Sequence, residues 1–334
     1  MLKIAKEKMP ELLNAWAKIG KLYVPQDQDG VSNFLPWDGK GKLTLGQGNS
    51  VLPPKDLFFP RTETMYRYQR SGGALSLEEV VENEKQILVG IRSCDARSIA
   101  LLDDVFLTKG YVDEFYRRRR ENTLIVALAC NVAQDTCFCT SFGIDPGRAE
   151  GVDIQVWEVD GSYILEAGTE KGRELLGQAP ALLMEAGEGG LPEAPACNLK
   201  VDLAGVTEKL QQMFEHPFWA QICRKCLGCG LCTYLCPTCH CFDIQSENRG
   251  DSGIKFRCWD SCMFSEYTRM AGGHNPRPSK KERVRNRFLH KLQYFPERYG
   301  KFGCVGCGRC LSYCPVNMDI TRIIGGIKEV DLNG

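Results

Sequence analysis

The chain reads Cys226-Leu-Gly-Cys229-Gly-Leu-Cys232-Thr-Tyr-Leu-Cys236-Pro237 in its second half and repeats that spacing as Cys304-Val-Gly-Cys307-Gly-Arg-Cys310-Leu-Ser-Tyr-Cys314-Pro315 near its end. In each copy the first three cysteines are separated from one another by two residues, which places three thiolates around one tight turn. A fourth cysteine, followed by proline, starts the departing helix and points the other way. This is the spacing of cysteines that bind [4Fe–4S] clusters.

Two copies of the motif predict two clusters with interleaved ligands. In two-cluster ferredoxins the fourth cysteine of each motif binds the cluster of the other motif. The spacing therefore predicts one cluster on Cys226, Cys229, Cys232 and Cys314, and a second on Cys304, Cys307, Cys310 and Cys236. A double zinc site is the alternative, but zinc sites use pairs of Cys-x2-Cys rather than a triplet with a distant fourth ligand.

Size and composition indicate a globular protein of two domains. The chain has 334 residues, 43% of them hydrophobic, and a formal net charge of zero, so no basic excess points to nucleic acid. We find no apolar run long enough to cross a membrane and no pattern of a secretory signal. The 18 cysteines are grouped at short gaps, which favours metal binding over disulfides and indicates a reducing, cytoplasmic compartment.

The first half reads as alternating strands and helices. Apolar runs at Ile87–Ile91 and Leu124–Leu128 predict buried strands, and the segment between them, Ala96–Phe106, predicts a helix. We therefore expect an α+β or α/β domain over residues 1–203. Residues 204–334 are expected to form a mainly α-helical two-[4Fe–4S] ferredoxin domain, with a long and partly helical insertion between the two motifs.

Four further cysteines mark a candidate third cluster. Cys94 and Cys130 follow the two predicted parallel strands, and Cys137 and Cys139 lie in the next loop. Ligands collect at the carboxyl edge of parallel sheets, so these thiols are expected to converge there. The alternative is that they are buried free thiols, because cysteine is among the most buried residue types.

The remaining cysteines and one basic segment have less specific patterns. Cys239, Cys241, Cys258 and Cys262 either form another metal site or pack around the clusters, and we favour packing. Cys223 is not expected to be a ligand, and Cys197 is expected to be structural. Positive charge beside anionic clusters would help to hold electrons there or guide an acidic carrier. The basic segment contains Arg277, Lys280, Lys281, Arg283, Arg285, Arg287 and Lys291.

Flanking motifs resemble those of a known family, the β subunits of sulfhydrogenases together with the A-type subunits of anaerobic sulfite reductases. The resemblance covers nearly the whole chain. It is carried by Leu57-Phe-Phe-Pro60, Gly90-Ile-Arg-Ser-Cys94-Asp-Ala-Arg97, Thr136-Cys-Phe-Cys139, Cys236-Pro-Thr-Cys-His-Cys241-Phe-Asp243, Trp259-Asp-Ser-Cys262 and Ala271-Gly-Gly-His-Asn-Pro-Arg277. His240, Cys223 and Cys258 depart from the pattern expected of the family.

The resemblance implies an electron-transfer subunit of a cytoplasmic oxidoreductase complex of anaerobic metabolism. Such subunits relay electrons between a flavin-containing NAD(P)H-binding subunit and a catalytic partner, which is a hydrogenase, a sulfite or sulfur reductase, or a heterodisulfide-reductase-like module. It also supports the third cluster on Cys94, Cys130, Cys137 and Cys139. The alternative is a catalytic subunit that binds a flavin, or reduces a sulfur compound at its own accessible cluster. Neither a catalytic residue nor a nucleotide-binding motif is found on this chain.

Overall fold

The computed structural model describes residues 1–187 and 190–332. The strands are β1 (Leu2–Ala5), β2 (Lys21–Gln28), β3 (Val31–Pro36), β4 (Thr62–Ser71), β5 (Ala74–Glu79), β6 (Gln86–Ile91), β7 (Thr123–Leu128), β8 (Ile154–Val159), β9 (Ser162–Ala167), β10 (Met184–Glu185), β11 (Phe242–Arg249) and β12 (Ser252–Trp259). The α-helices are α1 (Met9–Trp16), α2 (Ser93–Leu107), α3 (Glu114–Asn122), α4 (Glu170–Leu176), α5 (Val206–Gln211), α6 (Phe218–Ile222), α7 (Leu231–Tyr234), α8 (Lys280–Leu289), α9 (Phe295–Tyr299), α10 (Arg309–Ser312) and α11 (Ile320–Glu329).

An eight-stranded sheet forms the centre of the first half, with the strand order β10-β1-β9-β8-β7-β6-β2-β3. The four strands β2, β6, β7 and β8 pair in parallel, and the outer strands pair antiparallel. Side chains of β7 alternate between two cores: Val126 and Leu128 pack with α1 and α4, and Ile125 and Ala127 pack with α2 and α3. Two apolar faces explain why the central strands read as continuous hydrophobic runs.

A second sheet combines strands from both halves of the chain, in the order β11-β12-β4-β5. β12 pairs antiparallel with β4, and its Arg257, 1% exposed, forms ion pairs with Glu63 on β4 and with Asp113 at the start of α3. The division into domains of residues 1–203 and 204–334 remains a prediction from the sequence. Because this sheet takes strands from both sides of residue 203, however, the two halves share one folded unit.

The C-terminal part surrounds the cysteine motifs with short helices. α8 continues through a π-helical turn, His290–Tyr294, into α9. α11 buries Ile320, Ile323, Ile324 and Ile327 at helical spacing against α5 and α6. The expectation of a mainly helical domain is not confirmed, because the segment between the motifs contains the β11–β12 hairpin as well as α8 and α9. In the described ranges, no helix is both long and apolar enough to cross a membrane.

Candidate metal centres

The two cysteine motifs fold as the same loop. Gly230 and Gly308 have φ angles of 75° and 77°, and each is the N-cap of a short helix, α7 or α10. A Cβ atom at Gly308 would lie 2.5 Å from the carbonyl oxygen of Thr136. Glycine is therefore required there both for the left-handed backbone and for the close approach of the neighbouring loop.

The first predicted quartet lines one cavity. Cys226, Cys229 and Cys232 of the first motif meet Cys314 of the second motif around this space. Most of the other lining side chains are apolar, among them Met263, Val284 and Phe288, and Arg287 adds a cation. A dry wall with four thiols and a positive charge suits an anionic group bound through sulfur.

The second predicted quartet also converges. Burial raises the pKa of Cys310 well above its usual value, and the nearby thiolates of Cys304, Cys307 and Cys236 raise it further. A hydrogen bond from the Cys239 thiol lowers the pKa of Cys236, with help from the charges of Lys291 and Arg287. The fourth cysteine of the first motif therefore stands with the three cysteines of the second, as the interleaved arrangement requires.

The thiols are not arranged around single ions. In the part of the chain that the structure describes, no three His, Cys, Asp or Glu side chains are placed to hold one metal ion. In a [4Fe–4S] cluster the four cysteine thiolates serve four irons, so the sulfur atoms stand around a larger space than the ligands of one zinc ion.

Two buried cations beside the quartets indicate whether the sites suit an anionic cluster. Arg287 and Lys291 are 5% exposed, and neither forms an ion pair with a carboxylate among the described residues. Among the described residues, the Nη1 atom of Arg287 is buried without a hydrogen-bond partner, and Lys291 Nζ donates only to Thr238 Oγ1 and Gly303 O. A buried cation without a counter-charge is costly. Both side chains lie beside the cysteine quartets, so thiolate-bound anionic clusters fit these sites.

The N-terminal cysteines also come together. Cys94 lies in the first turn of α2 and Cys130 follows β7, at the predicted edge of the parallel sheet. Burial raises the pKa of Cys130 to about 11, and Cys137 adds to the rise. The pKa of Cys139 is raised by burial and by the thiols of Cys130 and Cys137. Four thiols from three segments thus share one neighbourhood.

A fifth thiol, that of Cys197, lies in the same neighbourhood. Its Sγ lies 3.7 Å from Cys139 Sγ, and it is 2% exposed. The sequence gives no spacing signal for it, because Cys197 stands alone in an irregular segment.

Two cations lie near these thiols. Arg92 donates to the backbone carbonyls of Leu45, Leu128 and Ala129 and forms no carboxylate pair within the described residues. Arg309, which pairs with Asp95, also acts on Cys94 and Cys137.

The N-terminal thiols lie directly against the second motif. Phe138 N donates to Gly306 O at 2.9 Å, and Asn49 Nδ2 donates to Cys307 O at 2.9 Å. Asn49 Oδ1 is 3.7 Å from Cys94 Sγ. The N-terminal thiols therefore adjoin the second motif directly.

Comparisons with known proteins agree with this arrangement. Residues 225–318 match the family described as a 4Fe-4S dicluster domain. The chain is 31% identical over 337 residues to a protein named sulfhydrogenase 2 subunit beta, from Pyrococcus furiosus, and the match covers 98% of each chain. No solved structure matches the chain.

Proposed function

Since the chain belongs to the sulfhydrogenase β-subunit family, we propose that it relays electrons between a flavin-containing NAD(P)H-binding subunit and a catalytic partner. Family and dicluster domain give it an iron–sulfur electron-transfer role with two [4Fe–4S] clusters. The name of the Pyrococcus furiosus relative favours a hydrogenase as the partner; a sulfite or sulfur reductase, or a heterodisulfide-reductase-like module, are the other candidates. A cytoplasmic location belongs to the same proposal.

The ligands in this proposal are the two interleaved quartets. The observation that carries it is the cavity at which Cys314 of the second motif joins Cys226, Cys229 and Cys232. Each cluster, when bound, accepts one electron and returns it. The chain's own residues hold the clusters apart from water with apolar walls, and Arg287 and Lys291 supply the positive charge that offsets the added electron.

A third [4Fe–4S] cluster on Cys94, Cys130, Cys137 and Cys139 is part of the proposal. The loop that carries Cys137 and Cys139 is hydrogen-bonded to the second motif through Phe138 and Gly306. Burial raises the pKa of Cys94, and the Cys307 thiolate of the second motif contributes to the rise, so the two groups are close neighbours. Electrons could therefore pass from a cluster on the N-terminal thiols to the cluster of the second motif, and from there to the cluster of the first.

Metal content tests the proposal. Protein prepared anaerobically should hold at least about eight irons for the two motif clusters, and about four more if the third site is filled. Cys130→Ala should remove about four irons and leave the motif clusters in place. Cys223→Ala, three residues before the first motif, is the matched control and should lose none. A colourless protein that contains zinc or no metal would contradict the proposal.

Electron flow provides a second readout. Cys229→Ala should stop transfer through the assembled complex, because it removes a ligand of the first quartet. The half-reactions of the partner subunits with artificial dyes should persist. If those half-reactions are lost as well, the subunit does more than conduct electrons.

One observation favours the catalytic alternative. A surface cavity next to Cys130 is lined by Arg92, Gln134, Glu158 and residues 46–48, so the third site faces an opening. A flavin or a small sulfur compound that used this opening would bind to the isolated chain. Flavin absorbance in the purified single chain, or sulfur-compound reduction by it, would support that alternative, and their absence supports the relay.

A further inference from the structure

The first quartet is the one that reaches the surface of the molecule. All 18 cysteines lie in the ranges that the structure describes, and Cys229 alone is exposed. Leu227, which is 63% exposed, lines the same cavity as the four thiols of this quartet. Electron transfer between two proteins becomes much slower as the distance between their redox centres grows. A protein that exchanges electrons with the first quartet therefore has its shortest approach at Cys229.

Apolar side chains lie at the surface end of this cavity. Leu227 stands between the first two cysteines of the first motif, and Pro315, which is also exposed, lines the cavity from the second motif. Tyr313 directly precedes Cys314 and is 41% exposed. An apolar centre that includes an aromatic side chain, with polar and charged side chains at the rim, is the usual composition of a protein–protein interface.

Exposed cations without counter-charges lie next to these apolar side chains. Arg224 and Lys225 belong to the turn Cys223–Lys225, directly before the motif. Helix α8 packs against this turn, and its exposed Lys280 donates to Cys226 O at 2.9 Å. Within the described ranges, none of these three cations forms an ion pair. The rim is therefore basic.

Two carboxylates close to this rim are already paired. Glu266 lies just beyond the loop that packs on Gly230, and it pairs with Arg269 at 2.8 Å. Glu282 caps α8 and lies 3.5 Å from Lys281. The whole chain has a formal net charge of zero, so the positive charge of this rim is a local feature. It does not reflect a general basic excess.

Only the beginning of α8 contributes to this surface. Lys280 is exposed, whereas Arg285, Arg287 and Lys291, farther along the chain, are buried. The basic segment that the sequence shows as one run thus has two parts. The buried part lies beside the quartets, and the exposed part faces outward beside Cys226.

We propose that this surface, the Cys229 face, is the docking site of an acidic redox protein that exchanges single electrons with the first quartet. The proposal rests on the proposed function, because it needs a cluster at that quartet. In the transfer, the reduced cluster loses one electron and the partner's redox centre gains it, and no bond or proton moves. Leu227 provides the apolar centre of the contact, and Arg224 and Lys225 provide part of its basic rim. A membrane fits this face less well, because it brings no electron acceptor to Cys229.

Two forms of one electron acceptor test the charge of the partner. Native cytochrome c is basic, and cytochrome c with succinylated lysines is acidic, while both carry the same haem. The full chain is loaded anaerobically with its clusters, reduced with dithionite, freed of the excess and mixed with each form in a stopped-flow instrument. The acidic form should react about tenfold faster at about 0.01 M salt. The difference should disappear at about 1 M salt, because the Debye length falls from about 30 Å to about 3 Å.

The outcomes separate this proposal from the proposed function. Bound clusters are anionic, so without a basic face the native, basic cytochrome would react faster. Faster reduction of the basic form, or equal rates at low salt, would overturn this proposal and leave the relay intact. Salt-dependent binding to phosphatidylserine vesicles together with equal rates would assign the face to a lipid surface and would also overturn it. If the chain reduces neither form, the proposed function fails, and this proposal fails with it.

Charge reversal locates the effect on the surface. Arg224→Glu with Lys225→Glu should slow the reaction with the acidic form about tenfold at low salt, and Arg224→Lys with Lys225→Arg should leave the rate unchanged. Lys18→Glu with Lys40→Glu is the matched control and should change the rate much less. These two lysines are exposed, follow α1 and β3, and form no ion pair in the part of the chain that the structure describes. Iron content and midpoint potentials check that each variant holds its clusters. An equal loss of rate in both charge-reversed proteins would overturn the proposal.

Discussion

The paired motifs and the N-terminal thiols differ in how their cysteines are brought together. Each motif places three cysteines on one loop, whose shape is fixed by glycines such as Gly230 and Gly308. The N-terminal thiols come from separate segments, and they meet because β6 and β7 are parallel neighbours in one sheet. Local spacing therefore sets the geometry of the motif sites, whereas tertiary packing sets that of the N-terminal group.

The largest effect is expected from breaking the exchange of ligands between the motifs. Cys236→Ala should remove the cluster of the second motif, although Cys236 belongs to the first, and lose about four irons. A double variant with Cys307→Ala should lose no more, because both residues serve one cluster. A double variant with Cys229→Ala should lose about eight. Iron and sulfide contents measure these losses.

The opposite pattern would contradict the interleaved assignment. If Cys236→Ala with Cys229→Ala loses only about four irons, and Cys236→Ala with Cys307→Ala loses about eight, each motif binds its own cluster. The cavity shared by Cys314 and the first motif would then have another role.

The same contrast explains what the sequence could predict. The spacing around Cys226 and Cys304 is sufficient to predict both quartets, and the apolar runs predict β6 and β7 because buried parallel strands need no polar face. The place of Cys197 could not be predicted, since its position beside Cys139 depends on how an irregular segment returns to the sheet. The second sheet could not be predicted for a similar reason. Its strands β4 and β12 are distant in sequence, and no local sequence pattern indicates that they pair.

A buried ion pair joins the second motif to the helix that carries Cys94, and a substitution can break it. Arg309, on α10 of the second motif, donates to both carboxylate oxygens of Asp95, at 2.7 and 3.2 Å, and Asp95 is fully buried in α2 beside Cys94. Arg309→Met would leave a buried carboxylate without a partner, which costs about 3–5 kcal/mol. Urea unfolding of the cluster-loaded protein should show this loss.

A surface pair provides the control for that prediction. Arg322 pairs with Asp319 at 3.5 Å, and its side chain is 69% exposed. Arg322→Met should cost about 0–1 kcal/mol, as exposed pairs do. The double variant Asp95→Asn with Arg309→Met should recover part of the stability, because it removes the unpaired charge. An equal, small loss in Arg309→Met and Arg322→Met would mean that the two regions are not joined through this pair.

The smallest expected effect concerns charge rather than ligands. Arg287 lines the cavity of the first quartet, and its charge also acts on Cys310 of the second, so it lies between the two. Reduction adds an electron beside this cation, and Arg287→Met should therefore lower the midpoint potentials of the motif clusters. A tenfold change in a one-electron equilibrium corresponds to about 59 mV, and we expect a shift of that order. Redox titration followed by electron paramagnetic resonance measures it.

Arg285 is the matched control, because it lies on the same helix, α8, but points elsewhere. Its guanidinium lies 3.7 Å from the centre of the Phe214 ring and pairs with Glu215. Arg285→Met should leave the potentials unchanged, and Arg287→Lys should restore most of the shift by keeping the charge. Components that come from the N-terminal thiols should move less than the motif clusters, since the cations that act on those thiols are Arg92 and Arg309. An equal shift in the midpoint potentials of all centres would contradict this prediction and indicate a general effect of net charge. High salt concentration would abolish such a general effect, whereas it screens the field of a buried charge much less.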